Sequence, residues 1–230
     1  MTEPLKDLKL RFASAAPPSS SEPLRWSASD PEQCYAAFLE AIGRARQAGE
    51  STSENGTTLL GRATHVAPLA WAHSLFQPLS DDEINQLDNL CRRPVPTSYR
   101  WWLKKHNGLG LFVSALSLYG LRTSYVRSPA IRLPFDLSTP NVHERPSDAP
   151  PQAFFVGGYS NNGGFLIWLN VESQTVHLST RTSAASLYEW PTLSLMVASE
   201  AIRLNELYDE LGRLKGVQDQ PEKRFRLFGR

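Results

Sequence analysis

Apolar side chains recur at helical spacing in four stretches of this 230-residue chain. Tyr35, Phe38, Leu39 and Ile42 share one helix face, opened by Asp30 as N-cap, Pro31 in the first turn and Gln33 placed for a capping box, and ended by Gly49. Ser80 with Glu83 three residues on is a second capping box, and Ile84, Leu87 and Leu90 predict a helix from about Asp81 to Cys91. Pro94 and Pro96 break the chain. Thr97 or Ser98 then caps a helix with the buried face Tyr99, Trp102, Leu103 and His106, stopped by Asn107-Gly108 in the left-handed conformation. After Pro191, the residues Leu193, Val197, Ala201, Leu204, Tyr208 and Leu211 define a closing helix that Gly212 terminates.

Between these helices the period changes. Residues 111–119 are apolar, β-branched or aromatic with interleaved Ser and Gly, which predicts one strand. Residues 153–156, 165–170 and 175–179 are three more, joined by turns at 160–164 and 172–174, and two successive hairpins make an antiparallel meander. The segment 124–151 holds six of the seventeen prolines and reads as a long irregular connection. Residues 50–58 lack periodicity and read as an exposed loop, followed by a less regular apolar stretch to Phe76.

Composition narrows the function classes. With 24 basic against 23 acidic residues, the chain lacks the electrostatic footprint of a nucleic-acid binder. Its apolar runs fall short of the roughly 20 residues a membrane helix needs, and residues 1–12 have no uninterrupted apolar core of a secretory signal, so a cytoplasmic location is expected. Cys34 and Cys91 are too sparse for a disulfide framework and are expected reduced. Residues 13–23 are Ala, Ser and Pro with one Glu, the composition of a flexible linker, and the last residues form a basic tail with Phe225 and Phe228. The amphipathic first twelve residues suit either packing on the body or a free arm.

Candidate chemistry is thin. Gly158-Tyr159-Ser160 starts like a nucleophile elbow, but Asn162 replaces the closing glycine and a strand follows instead of a helix. Gly108-Leu109-Gly110 lacks the third glycine of a dinucleotide site, and His65, His73, His106, His143 and His177 have no metal-ligand spacing. His106 suits a favourable interaction with a helix C-terminus. The run Asn161–Gly164 fits a hairpin turn better than a phosphate nest. Interfaces favour Trp, Tyr and Arg. The partner-binding candidates are therefore Trp101, Tyr159 and Trp190, with Asn161 and Asn162 of the adjoining turn. No catalytic residue, metal, cofactor or small-molecule substrate is expected.

The order helix, Pro corner, helix ending in Asn-Gly, strand, long loop, meander and closing helix resembles the SUKH superfamily. The residues that carry it are Val95-Pro96, Tyr99, Trp102-Leu103, Asn107-Gly108, Leu118-Tyr119-Gly120, the turn Asn161–Gly164 and Val176. The chain departs from that pattern at Arg92-Arg93, where the family usually has Gly, and at Asn161-Asn162, where it usually has an acidic residue. The resemblance covers about 79–212. It implies an α+β fold, a central mostly antiparallel sheet packed by helices, in a domain at 77–213. Residues 24–76 then form a helical N-terminal extension, with an arm and linker at 1–23 and a tail at 214–230. It also implies an immunity protein that binds and neutralises a cognate, co-encoded bacterial toxin without catalysis. The alternative is a regulatory scaffold like the fungal cell-wall synthesis regulators under the same superfamily name. A small hydrolase using Ser160 and His177 is a third reading.

Overall fold

The computed structural model describes residues 16–19, 30–126, 130–160, 164–209 and 211–215. Nine strands form one sheet, each pairing antiparallel with its neighbour in sequence. They are β1 (Glu50–Thr52), β2 (Thr58–Arg62), β3 (Trp71–Leu75), β4 (Leu109–Leu111), β5 (Leu116–Leu118), β6 (Ala153–Tyr159), β7 (Phe165–Asn170), β8 (Val176–Thr180) and β9 (Tyr188–Trp190). The helices are α1 (Pro31–Gly43), continued by a 3-10 turn at Arg44–Ala48, then α2 (Asp81–Cys91), α3 (Thr97–Leu103) and α4 (Leu193–Leu207).

Local sequence accounts for the helix starts. Asp30 accepts from the N–H groups of Glu32 and Gln33, both at 3.3 Å. Ser80 and Glu83 form the reciprocal capping box. Thr192 caps α4 through the Leu195 N–H at 3.2 Å. At the end of α2 the exposed Arg92 adopts a left-handed conformation, φ 55°, the place where a glycine costs least. The four helices cover one sheet face, where alternation along the strands turns Leu75, Leu109, Leu118, Ile167 and Leu178 inward. Trp102, Tyr99, Phe38 and Trp190 are fully buried there, and each such side chain contributes about 1.5–3 kcal/mol of transfer free energy. The opposite face carries a smaller cluster of Ala153, Phe155, Leu166, Trp168 and Ala184.

The antiparallel sheet with helical cover is as expected, but several local readings differ: neither Thr97 nor Ser98 caps α3, which starts after Pro96 without a side-chain cap, and α4 ends at Leu207, before Gly212. The N-terminal segment carries the expected helix, α1, and then also supplies three strands of the same sheet, β3 pairing with β4 through Ser74 with Gly110 and Leu75 with Leu109. The predicted loop at 50–58 is the β1–β2 hairpin. Its edge strand is exposed at all three positions, so no alternation marks it in the sequence. The single strand expected at 111–119 is a hairpin, because Phe112, Val113 and Ser114 turn back in the left-handed region, with φ of 50°, 56° and 64°. Helix α3 stops at Leu103, and His106 beyond it is neutral: burial, helped by Lys105, lowers its pKa to about 4, and Nε2 lies 2.9 Å from the Tyr35 hydroxyl.

Of the linker read as flexible, residues 16–19 lie against the body, with Pro18 buried and the Ala16 carbonyl accepting from Arg203 Nη2 at 3.0 Å. The N-terminal arm and the basic tail at 223–230 lie outside the described residues. Cys34 and Cys91 are buried thiols not joined in a disulfide, and burial pushes the latter up to about 12.

A two-arginine cleft beneath an apolar loop

The residues that stop α3 also place the next functional segment. Asn107 uses its amide as a substitute peptide group: Nδ2 donates to the Leu121 carbonyl at 2.9 Å and Oδ1 accepts from the Leu121 N–H at 2.6 Å. Gly108 takes φ 82°, which lets the chain reverse into β4. Tyr99 is buried and its hydroxyl donates toward the carbonyls of Tyr119 and, at 3.0 Å, Val156. The far end of the β5–β6 connection is pinned the same way, by Asn141 donating to the Phe155 carbonyl at 2.8 Å and accepting from its N–H at 3.0 Å. A single π-helical turn at Thr139–His143 carries that asparagine. The connection between these anchors runs over the sheet face that the helices leave open.

That face is shallow in the middle because the strand register aligns Ser74, Gly110, Ser117 and Gly158 across β3 to β6. The left-handed turn brings Ser114 beside them, and the connection brings Arg122 and Arg132, so that together they line an open-mouthed cavity of about 210 Å³. Phe76, Leu133 and Phe135 supply its apolar wall. Arg122 Nη1 donates to the Pro134 carbonyl at 2.9 Å, and its guanidinium lies 5.1 Å from the Tyr125 ring centroid. Arg132 Nη2 donates to the Leu69 carbonyl at 2.8 Å. Among the described residues, Nε of both arginines and Oγ of Ser117 are buried without a hydrogen-bond partner, and neither guanidinium is in an ion pair. Asp136, on the same connection, accepts from the Tyr125 hydroxyl and from the backbone N–H and hydroxyl of Ser138, the latter two at 2.9 Å. Above the cavity the connection exposes Tyr125 (71%), Val126 (80%), Phe135 (55%) and Ile131.

The candidates from sequence lie elsewhere. Tyr159 is 3% exposed, and its hydroxyl donates to Glu200, which also accepts from Arg203 Nε at 3.0 Å and Nη2 at 2.7 Å. Trp190 is 0% exposed. Both are core residues, because their strands turn them toward the helices, so they do not line a partner surface. Trp101 is half-buried and packs edge-on against Tyr35 and Trp102, with Lys105 Nζ 5.0 Å from its ring centroid. It docks α1 onto α3. Asn161 and Asn162 lie outside the described residues.

His177 is occupied by structure: its ring stacks on Trp168 at 4.0 Å, Nε2 lies 2.9 Å from Thr175 Oγ1 and Nδ1 lies 3.0 Å from Ser186 Oγ. No group of three or more metal-ligating side chains occurs among the described residues, and no helix there is long and apolar enough to cross a membrane. The sequence reading passed over Arg122, Tyr125, Arg132 and Phe135 because they sit in the proline-rich connection. The mixture of arginine and aromatic residues in so apolar a loop was the available signal.

No curated protein and no solved structure matches the chain. Residues 78–198 match the SMI1 / KNR4 family (SUKH-1). That region contains Tyr99, the Asn107-Gly108 stop, Gly120 and the Asn141 anchor, the residues that hold the open-face connection in place. It spans more than half of the sequence, and the chain belongs to the SMI1 / KNR4 family (SUKH-1).

Proposed function

We propose that this protein is an immunity protein: it binds a co-encoded bacterial toxin and neutralises it by covering a functional surface, with no reaction of its own. Family membership supports the class, since a SUKH protein typically confers immunity. The observation that carries the reading to a surface is the exposed group Tyr125, Val126, Ile131 and Phe135 beside two guanidiniums. Large apolar residues are usually turned inward in an isolated domain, and a cluster of them with arginine is the composition of a protein-binding hot spot.

The experiment is co-expression with the toxin domain encoded by the adjacent gene. Phe135→Asp and Tyr125→Asp abolish protection if this surface is used. Leu39→Asp, on the helical side of the molecule, leaves it intact. Protection that survives both loop variants, but is lost when residues 1–15 and 216–230 are removed, favours an arm-mediated scaffold instead.

A further inference from the structure

We infer that the cavity between Ser117, Arg122 and Arg132 is a receptor for one carboxylate, the side chain of a Glu or Asp that the bound partner inserts beneath the apolar loop. This rests on the proposed binding surface and specifies the chemistry at its centre.

Three observations converge. The first is unused donor capacity. Ser117 is 3% exposed and lines the cavity, and its Oγ has no partner among the described residues; the Nε atoms of Arg122 and Arg132 are equally buried and equally unmatched. Buried N–H and O–H groups are nearly always satisfied, so three at one cavity point to a missing acceptor. The second is charge. Two guanidiniums face a space into which no carboxylate of the described residues ion-pairs, and the forked N–H geometry of arginine matches a carboxylate better than any neutral acceptor. The third is size. At about 210 Å³ the cavity is below the roughly 300–1,000 Å³ of small-molecule sites. It holds a side chain reaching in from a larger contact. The wall of Phe76, Leu133 and Phe135 suits the methylene stem of such a side chain, with the serines and arginines at its charged end.

The sequence builds this site from unremarkable parts. Small residues in register on β3, β4 and β5 make the depression, the left-handed turn after β4 adds Ser114, and Asn107 fixes Leu121 so that Arg122 follows in a set position.

The test needs no partner. The full chain is titrated with N-acetyl-glutamate amide, with N-acetyl-glutamine amide, succinate and inorganic phosphate as comparators, while the arginine Nε–Hε resonances are followed by NMR. Saturable binding, on the order of millimolar for so small a ligand, is expected to shift two Nε–Hε resonances. Their loss in Arg122→Lys and Arg132→Lys assigns them. Each Arg→Gln change weakens the glutamate probe about tenfold or more, and the glutamine analogue is at least as disfavoured. Absence of saturable binding, an equal response to the glutamine analogue, or tighter binding of phosphate or succinate overturns the assignment. The wild-type titration keeps the test valid even if an arginine variant fails to fold. Failure here with loss of protection in Phe135→Asp removes only the carboxylate receptor, whereas intact probe binding with unaffected protection removes the toxin-binding surface.

Discussion

Asn107 and Gly120 are interlocked: the Asn107 side-chain oxygen and carbonyl occupy the space that a β-carbon on residue 120 would need, while the same side chain makes both hydrogen bonds to Leu121. Gly120→Ala is therefore expected to lower stability by roughly 1–3 kcal/mol through forced displacement of Asn107. Asn107→Ala removes two buried hydrogen bonds and costs a similar amount, about 1–3 kcal/mol, with the loss concentrated in the connection that follows β5. Urea unfolding gives the first value. Faster amide exchange at Leu121 than in the α4 core reads the second.

Stability is expected to fall with acidification because of His73. This ring is 3% exposed, its Nδ1 accepts from the Phe112 N–H at 3.4 Å, and burial lowers its pKa from 6.5 to about 3. Below pH 6.5 the unfolded chain takes up a proton that the folded chain refuses. The contribution is thus complete above 6.5 and is lost progressively as pH drops toward 3, by at most about 1.4 kcal/mol per pH unit. His106, lowered to about 4, and His177 act in the same direction. The urea midpoint followed from pH 7.5 to 5 checks the sign, and a shallower slope in His73→Gln checks the residue.

The Glu200 and Arg203 pair beneath the sheet makes a different prediction. Side-chain exposures of 2% and 5% leave little solvent to screen either charge, and the Tyr159 hydroxyl donates to the same carboxylate. Removing one partner strands the other, so Glu200→Ala is expected to cost about 3–5 kcal/mol in chemical denaturation. Tyr159→Phe removes only one donor and costs far less.

Arg92→Gly is expected to stabilise the protein. The exposed Arg92 holds φ 55° at the end of α2, a conformation that costs an L side chain about 1–2 kcal/mol. The greater flexibility of glycine in the unfolded chain offsets part of that gain. A rise of about 0.5–1 kcal/mol in unfolding free energy is the expected result, and no change in midpoint would count against it.

Helix starts were legible in the sequence where a cap residue makes a specific hydrogen bond, as at Asp30 and Ser80, whereas the end of α4 was not: it stops at Leu207, where Tyr208 turns to extended backbone, and not at Gly212. The central meander was legible because β6, β7 and β8 are long and bounded by turn residues. Strands of three residues were not, since β1, β4, β5 and β9 are too short to display a period. The hairpin at Phe112–Ser114 was hidden for another reason. Its left-handed turn contains no glycine and is held from outside, by His73 on the Phe112 N–H and by the Ala72 carbonyl accepting from Val113 at 2.8 Å. The two-arginine cleft escaped because its parts lie on β3, β5 and the connection, and only strand register brings Ser74, Ser117 and Arg132 together. Tyr159 and Trp190 illustrate the converse, aromatic residues whose type suggests an interface and whose strand face decides for the core.

The pairing of β3 with β4 carries a consequence for anyone who would trim this protein to its family-defining part. The matched region begins at residue 78, after three strands have already been laid down. A fragment starting there would present the outer backbone groups of β4 as a raw edge, next to the uncovered Leu109 and Leu111 side chains. Such a fragment is expected to self-associate or precipitate, whereas in the 230-residue chain β3 seals that border.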